Sequence, residues 1–395
     1  MEKPFSEVKM KHSTENTDNV LQEFNKNITL DYAWLISYVI FIGVLGIVGN
    51  SIAAAYYVKK MDKNVNVILL IVISLNDLIS SLVNPVTTVY DFVNSVTYSS
   101  IIGCPAIYFA AHVLVINSLL LLTVIGVDRF LQIYLVASKL KFQKSHVVRM
   151  LACIFSGSLL IALRDIWIVK PVPVSVHAGQ NLTVTGHHCM HSKEDYLKPV
   201  IYAFHIIDLV TVIGLSVALT CMYIMIRRKI DRTHKAVVAF SNPIDTRAVE
   251  DEVECTSSAA HDTDEAANTC SSAKLSIKDE TDSIVKPSIL FKWGAHTSEA
   301  TNDHTHSHKM LEVERRITKM LFVMTGSSLL CFVPYFVVSL SLEYDHESSG
   351  WIYLAHRSFL LNSSLNPYVI GYFNSEFRRF VYDIFCRFCF KAVRG

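Results

Sequence analysis

The stretch IGCPAIYFAAHVLVINSLLLLTVIGVDRFLQIY, residues 102–134, decides how the rest of the chain is read. It runs from Ile102 to Val127 without an acidic or basic residue other than His112, then sets Asp128 and Arg129 side by side. About 20 mostly apolar residues are enough to cross a bilayer as a helix. At 1.5 Å per residue, Cys104 and Arg129 are about 37 Å apart along one helix, so each lies at a membrane surface. A lone arginine reaching for headgroups would need no partner. The acid beside it asks for another explanation.

The whole chain has the same character. Of its 395 residues 51% are hydrophobic and only 18% charged, with a mean hydropathy of +0.34, whereas soluble domains carry about 25% charge. The apolar residues fall into long blocks separated by short polar stretches. A net charge of +1 and the lack of a basic ladder interleaved with aromatics argue against a nucleic-acid partner. The nine cysteines form no metal pattern, since the one close pair, Cys386 and Cys389, has no histidines beside it. His304, His306 and His308 lie in a polar Thr/Ser tract that reads as a solvated loop. The first thirty residues are polar and lack the basic start and apolar middle of a cleavable signal peptide, so the first span is expected to direct insertion.

Seven runs are long enough to span, at roughly 33–58, 65–92, 102–134, 147–168, 197–226, 315–342 and 351–373, the fourth ending near Arg164 and Asp165. Basic residues in short loops set the orientation. Lys59, Lys60 and Lys63 follow the first run, and Lys139, Lys141, Lys144 and Arg149 lie between the third and fourth. Arg227, Arg228, Lys229 and Arg232 follow the fifth, Arg315 and Arg316 open the sixth, and Arg378 and Arg379 follow the seventh. By that rule this side is cytoplasmic. The opposite side carries Asn27-Ile-Thr and Asn181-Leu-Thr, two N-glycosylation acceptors, while Asn362-Ser-Ser falls inside the seventh run. The expected fold is an all-α membrane protein: a seven-transmembrane helix bundle in the plasma membrane, N-terminus outside, with a short C-terminal amphipathic helix. Residues 1–32 form an extracellular tail, 33–230 spans one to five, 313–373 spans six and seven, and 374–395 the amphipathic helix and cytoplasmic tail. Residues 231–312, rich in Ser, Thr, Asp, Glu and Ala, bury too little apolar area to offset ordering entropy and read as a disordered cytoplasmic loop. No internal repeat marks an inverted-repeat transporter.

Ionisable groups inside spans are costly and therefore point to function. Asp77 in SLNDL stands out, because a carboxylate near mid-membrane needs a cation or a proton. Ser118, Asn362 and Asn366 supply neutral oxygens that, with Asp77, suit a small hard cation such as sodium, although Asn and Ser in spans also serve as interhelical glue. Pro334 and Pro367 interrupt the sixth and seventh runs and should kink them. Glu314, about 30 Å before Pro334 along a helix, lies at the same surface as Arg129. Arg129 thus has two carboxylates to choose from, as a latch would.

These residues, in this order and spacing, resemble the rhodopsin-like (class A) G protein-coupled receptors over essentially all seven runs. The resemblance is carried by Asn50, Asp77, Cys104, Asp128-Arg129-Phe130, Tyr223, Cys331-Phe332-Val333-Pro334 and Asn366-Pro367. Cys189 in HHCMH matches the outer-loop cysteine that in the family bonds to the top of span three, so a Cys104–Cys189 disulfide is implied. FNSEFRRF resembles the family's amphipathic helix, and Cys386 and Cys389 match the usual palmitoylation position. The chain departs from the pattern at Phe130 and Ile370, where tyrosines are usual, at Phe332, where a tryptophan is usual, at Leu215 near the span-five proline, and in lacking the span-four tryptophan at its usual place. The resemblance implies an extracellular ligand, a heterotrimeric G protein as partner, and no enzymatic activity; no span repeats a catalytic cluster. It also implies that Arg129, held at rest by Asp128 and Glu314, is released when span six tips outward.

Amine receptors of this family carry an aspartate seven residues after the span-three cysteine; here Ala111 stands there, followed by His112, so a standard amine pocket is not expected. Leu360 stands where opsins keep the retinal lysine. A pocket is expected among spans three, five, six and seven, lined by His112, Val115, Asp208, Phe332, Tyr335, Phe336 and His356. Arg357 would receive an anionic group and Asp208 a cationic one, unless they pair with each other or with Glu343 or Asp345. A peptide or a small zwitterion fits both signs. The other readings are a transporter or channel, and an orphan receptor that couples weakly.

Overall fold

The computed structural model describes residues 5–61, 64–134, 144–177, 183–241, 303–341 and 350–394. Among them, six helices are long and apolar enough to cross a membrane: α2 (Ala33–Lys60), α3 (Val65–Val93), α4 (Gly103–Tyr134), α5 (Lys144–Ile168), α6 (Lys198–Ser241) and α7 (Asp303–Ser341). They contain the first six apolar runs. Large apolar side chains such as Leu160, Val210 and Leu330 are 69%, 63% and 72% exposed, while Asn50, Asp77, Ser118 and Asn366 are buried. That polarity is the inverse of a soluble protein's and suits a lipid surround.

The seventh run is not one helix, as expected, but two pieces, α8 (Gly350–His356) and α9 (Leu360–Phe373). Between them Ser358, Leu360, Leu361 and Asn362 donate to carbonyls three residues back, a 3₁₀ tightening. The tightened turn is tied to α7, where Ser358 Oγ donates to the Cys331 carbonyl at 2.6 Å. Cys331 lies in the turn before Pro334. The helices run on through Pro334 and Pro367, and also through Pro85 in α3, which packs against Gly43.

Residues 1–229 and 312–395 form one compact unit and 230–311 a second. Within the second, 230–241 continues α6 and 303–311 continues α7, so helix invades both ends of the loop placed at 231–312. No glycine or proline interrupts 227–241. Residues 242–302 lie outside the described residues.

Two additions cover one end of the bundle. The segment after α5 is a β-hairpin, β1 (Val169–His177) antiparallel to β2 (Thr183–His191), with Pro171 opposite Cys189. Cys189 is disulfide-bonded to Cys104 at the start of α4, with Cα atoms 5.6 Å apart. The N-terminal segment, read as a polar tail, is the helix α1 (Phe5–Asp31). Its Leu21 is buried with Val96, Val174, Val176 and Val184, and Asn25 donates to Thr97 Oγ1 (2.7 Å) and accepts from the Val96 amide (3.0 Å). At the other end Asn374 both closes α9 and caps α10 (Ser375–Arg394), accepting from the Phe377 amide at 3.1 Å. Phe377 then packs edge-on against Tyr56 of α2. Where α2, α3 and α9 meet, a Cβ on Gly46 would stand 2.2 Å from Ser81 Oγ and 2.7 Å from Ser364 Oγ, so only glycine lets these helices close.

Candidate functional site

A cavity of about 950 Å³ opens at the hairpin end. His112, Val115 and Asp208 border it from α4 and α6, Phe332, Tyr335 and Phe336 from α7, and His356 and Arg357 from the seventh span. The seven residues expected from helical spacing, and Arg357 beside them, border one space. Val212, Phe332 and Phe336 form a buried cluster on one wall, against which Tyr335 and Phe359 pack. Tyr335 also lies 5.1 Å, centroid to centroid, from His356.

The charges in that cavity are arranged differently from expectation. Arg357 does not await an anion: its Nη2 donates to Asp91 Oδ2 of α3 at 2.7 Å, with both side chains largely buried. Asp208 is gripped by both terminal nitrogens of Arg164 on α5, one of them at 2.9 Å. His112 Nδ1 lies 2.7 Å from Asp165 Oδ2, and Arg164 Nε is 4.0 Å from Asp165 Oδ1. Glu343 and Asp345, named as alternative partners, lie outside the described residues. Asp91, Arg164, Asp165 and His191 also line the cavity and were missed as site residues. The rule that singled out Asp77 applies to Arg164 and Asp165 equally, so a signal was there. On β2, burial and then the neighbouring His205 push the His191 imidazole down to about 3.

Midway along the bundle Asp77 is completely buried. Ser118 Oγ donates to its Oδ1 at 2.9 Å and Asn366 Nδ2 to its Oδ2 at 2.6 Å. Asn366 Oδ1 and both polar side-chain atoms of Asn362 are buried without a protein hydrogen bond. A carboxylate, a hydroxyl and orphaned amide oxygens form the donor set a hard cation takes.

The far end of α4 holds Asp128 (1% exposed) and Arg129 (8%). Gln132 Nε2 donates to Asp128 Oδ2 at 2.7 Å, and Asn66 of α3 donates to Gln132 Oε1 at 3.2 Å. Asp128 is thus tied to α3 through an amide relay, which sequence reasoning missed. Glu314 is on α7, but its side chain lies outside the described residues. Phe130 stacks on Tyr134, whose ring also carries the Lys229 ammonium at 4.8 Å. Tyr223 of α6 is buried edge-on to Phe322 of α7. It reaches α4 because Gly126 is there: a Cβ at that position would stand 2.5 Å from Leu219 Cδ2 and 3.1 Å from the Tyr223 hydroxyl. Ile370, where the family pattern has tyrosine, is 1% exposed.

Of the modification sites, Asn27 is exposed on α1 and Asn181 lies outside the described residues. Cys386 on α10 is a half-buried free thiol, and the Cys389 side chain is not described.

A bundle of this span order, with a disulfide-anchored hairpin over a cavity and a buried arginine at the opposite end, has the build of a membrane receptor. The family described as "7 transmembrane receptor (rhodopsin family)" matches residues 49–369, and the chain belongs to it. Over 71 residues the chain is 41% identical to 5-hydroxytryptamine receptor 1D of Homo sapiens and 39% identical to that of Rattus norvegicus. Each match covers 17% of this chain and 19% of the relative, so the chain spans about a fifth of the relatives it matches.

Proposed function

We propose that the chain is a plasma-membrane receptor, N-terminus outside, that takes an extracellular ligand into the hairpin-end cavity and drives nucleotide exchange on a heterotrimeric G protein at the opposite end. The observation that carries this reading is one helix with both sites on it. His112 borders the cavity and Arg129 is buried near the other end of α4, about 26 Å away.

Helix α7 links the two. A ligand pressing on Phe332 and Phe336 acts on the turns either side of Pro334, where a missing amide leaves the helix less tied. Tilting α7 there separates Phe322 from Tyr223 and carries Glu314 away from the end of α4. Asp128 stays tethered to Gln132 and Asn66, so Arg129 alone is presented to the G protein. Asp77, Ser118, Asn362 and Asn366 would hold a sodium ion, whose charge offsets that of the Asp77 carboxylate. In the same reading Asn27 and Asn181 carry glycans and Cys386 and Cys389 carry palmitate.

The relatives are named for 5-hydroxytryptamine, but with Ala111 at the customary position a ligand ammonium has no carboxylate there. The ligand class is therefore read from the cavity itself. The test is a ligand screen on the expressed full chain with a promiscuous G-protein readout. A ligand is expected whose response vanishes in Arg129→Ala while its binding persists. A response indifferent to Arg129 contradicts the reading.

A further inference from the structure

The cavity is lined by more carboxylates than guanidinium groups. Among the described residues, three carboxylates border it, Asp91, Asp165 and Asp208, against two guanidinium groups, Arg164 and Arg357. Two lysines also border it, but Lys193 is exposed and Lys198 is exposed and paired with Asp195 at 2.8 Å. Arg357 and Asp91 satisfy each other at 2.7 Å. Arg164 serves two acids at once, bidentate to Asp208 and 4.0 Å from Asp165. Asp165 has that shared guanidinium only at 4.0 Å, and its near partner is an imidazole, His112 at 2.7 Å. A buried carboxylate with no guanidinium or ammonium in hydrogen-bond range is a place that favours a further cation.

The geometry also says how a ligand reaches it. The Asp165 side chain is 2% exposed and that of His112 27%, so the imidazole is the face the cavity meets, with Asp165 behind it. His112 follows Ala111, which also borders the cavity. The seat for positive charge is thus turned one residue around α4 and backed by α5. Asp208, 21% exposed, is the second acid a cation meets. Aromatic surface stands ready for the rest of the molecule at Phe332, Tyr335 and Phe336, and ammonium groups gain further from such faces.

We propose that the cavity recognises a small ligand bearing a free ammonium group, seated between Asp208 and the His112–Asp165 pair, with its body against the α7 aromatics. This rests on the receptor reading above and narrows its ligand class. Asp165 and Asp208 supply the charge, while His112, backed by Asp165, is the face that positions the ammonium. The Asp91–Arg357 pair is already neutral and takes no part.

The experiment uses cells expressing the full chain and a promiscuous G-protein readout. The probes are 5-hydroxytryptamine, tyramine, histamine and agmatine, each beside its N-acetyl derivative. At least one amine should activate, with its N-acetyl form at least tenfold weaker. Asp165→Asn should raise that amine's half-maximal concentration at least tenfold, and the charge-neutral double variant Asp91→Asn with Arg357→Gln less than threefold. If Asp165→Asn fails to reach the surface, Asp208→Asn, which removes the other acid, should show the same loss. The proposal is overturned if no amine acts, if acetylation costs nothing, or if the reporting acid variant responds like the parent. Basal coupling in the same cells separates the two claims: basal activity silenced by Arg129→Ala beside unresponsive amines leaves the receptor reading standing and removes only the ligand class.

Discussion

Breaking the Asp91–Arg357 pair one side at a time should cost far more than removing both charges together. The two side chains are 16% and 12% exposed and meet at 2.7 Å, joining the second span to the seventh beside its 3₁₀ turn. Arg357→Gln leaves the Asp91 carboxylate in the cavity wall without its guanidinium, and Asp91→Asn leaves the converse. Removing one partner of a buried pair costs about 3–5 kcal/mol, and partial access to the cavity puts this case near the lower figure, about 3. The double variant is neutral and keeps polar groups at both positions, so it should lose only about 1–2 kcal/mol, a coupling of roughly 4 kcal/mol against the summed singles and no less than about 2 after relaxation. Two kcal/mol is about 30-fold in rate. The assay is the inactivation half-life of the detergent-solubilised chain at one fixed temperature for the parent, both singles and the double. Each single should inactivate faster than the double. Additive losses would refute the pairing and return Arg357 to the role of an open anion receptor.

Three further outcomes follow from the same contacts. Gly46→Val should destabilise by about 1–3 kcal/mol through overpacking against Ser81 and Ser364, read as a shortened half-life in that assay; unchanged half-life would mean the helices are not this close. His191, held neutral with its pKa at about 3, should make the chain lose stability as pH falls below the ordinary histidine range, because the unfolded chain then binds the extra proton. The loss should reach about 1 kcal/mol near pH 5.5, and His191→Gln should flatten that part of the profile. Replacing Cys104, Cys189 or both by serine should depress surface expression equally, since either change removes the same bond; an additive double variant would show separate roles.

The span positions were legible because lipid demands uninterrupted apolar runs, and a run such as 102–134 has few other ways to fold. The seven cavity residues named from helical spacing were legible for a related reason: that spacing fixes which side chains share a face. Charge pairing was not. Asp91 and Arg357 are 266 positions apart and Arg164 and Asp208 are 44, so nothing local in the sequence announces either partnership. Helix α1 was read as a tail because its docking rests on Leu21, Asn25 and a few neighbours meeting valines of the hairpin, too sparse to register as an amphipathic stripe. The break in the seventh span depends on Ser358 finding the Cys331 carbonyl on another helix, again a tertiary event. The amide relay from Asn66 through Gln132 to Asp128 belongs with these, although Gln132 lies one helical turn beyond Asp128 and could have been suspected.

The switch at Asp128 and Arg129 is tested most directly by GTPγS uptake on membranes carrying equal surface amounts of the parent, Arg129→Ala and Glu314→Ala chains. The parent should exchange nucleotide faster than Arg129→Ala, which should fall to the rate of untransfected membranes. Glu314→Ala should run several-fold above the parent, as expected when one contact of the resting state is withdrawn from a two-state equilibrium. Equal rates for the parent and Arg129→Ala, with Glu314→Ala no faster, would contradict the switch and leave Arg129 as a helix-end arginine with no part in signalling.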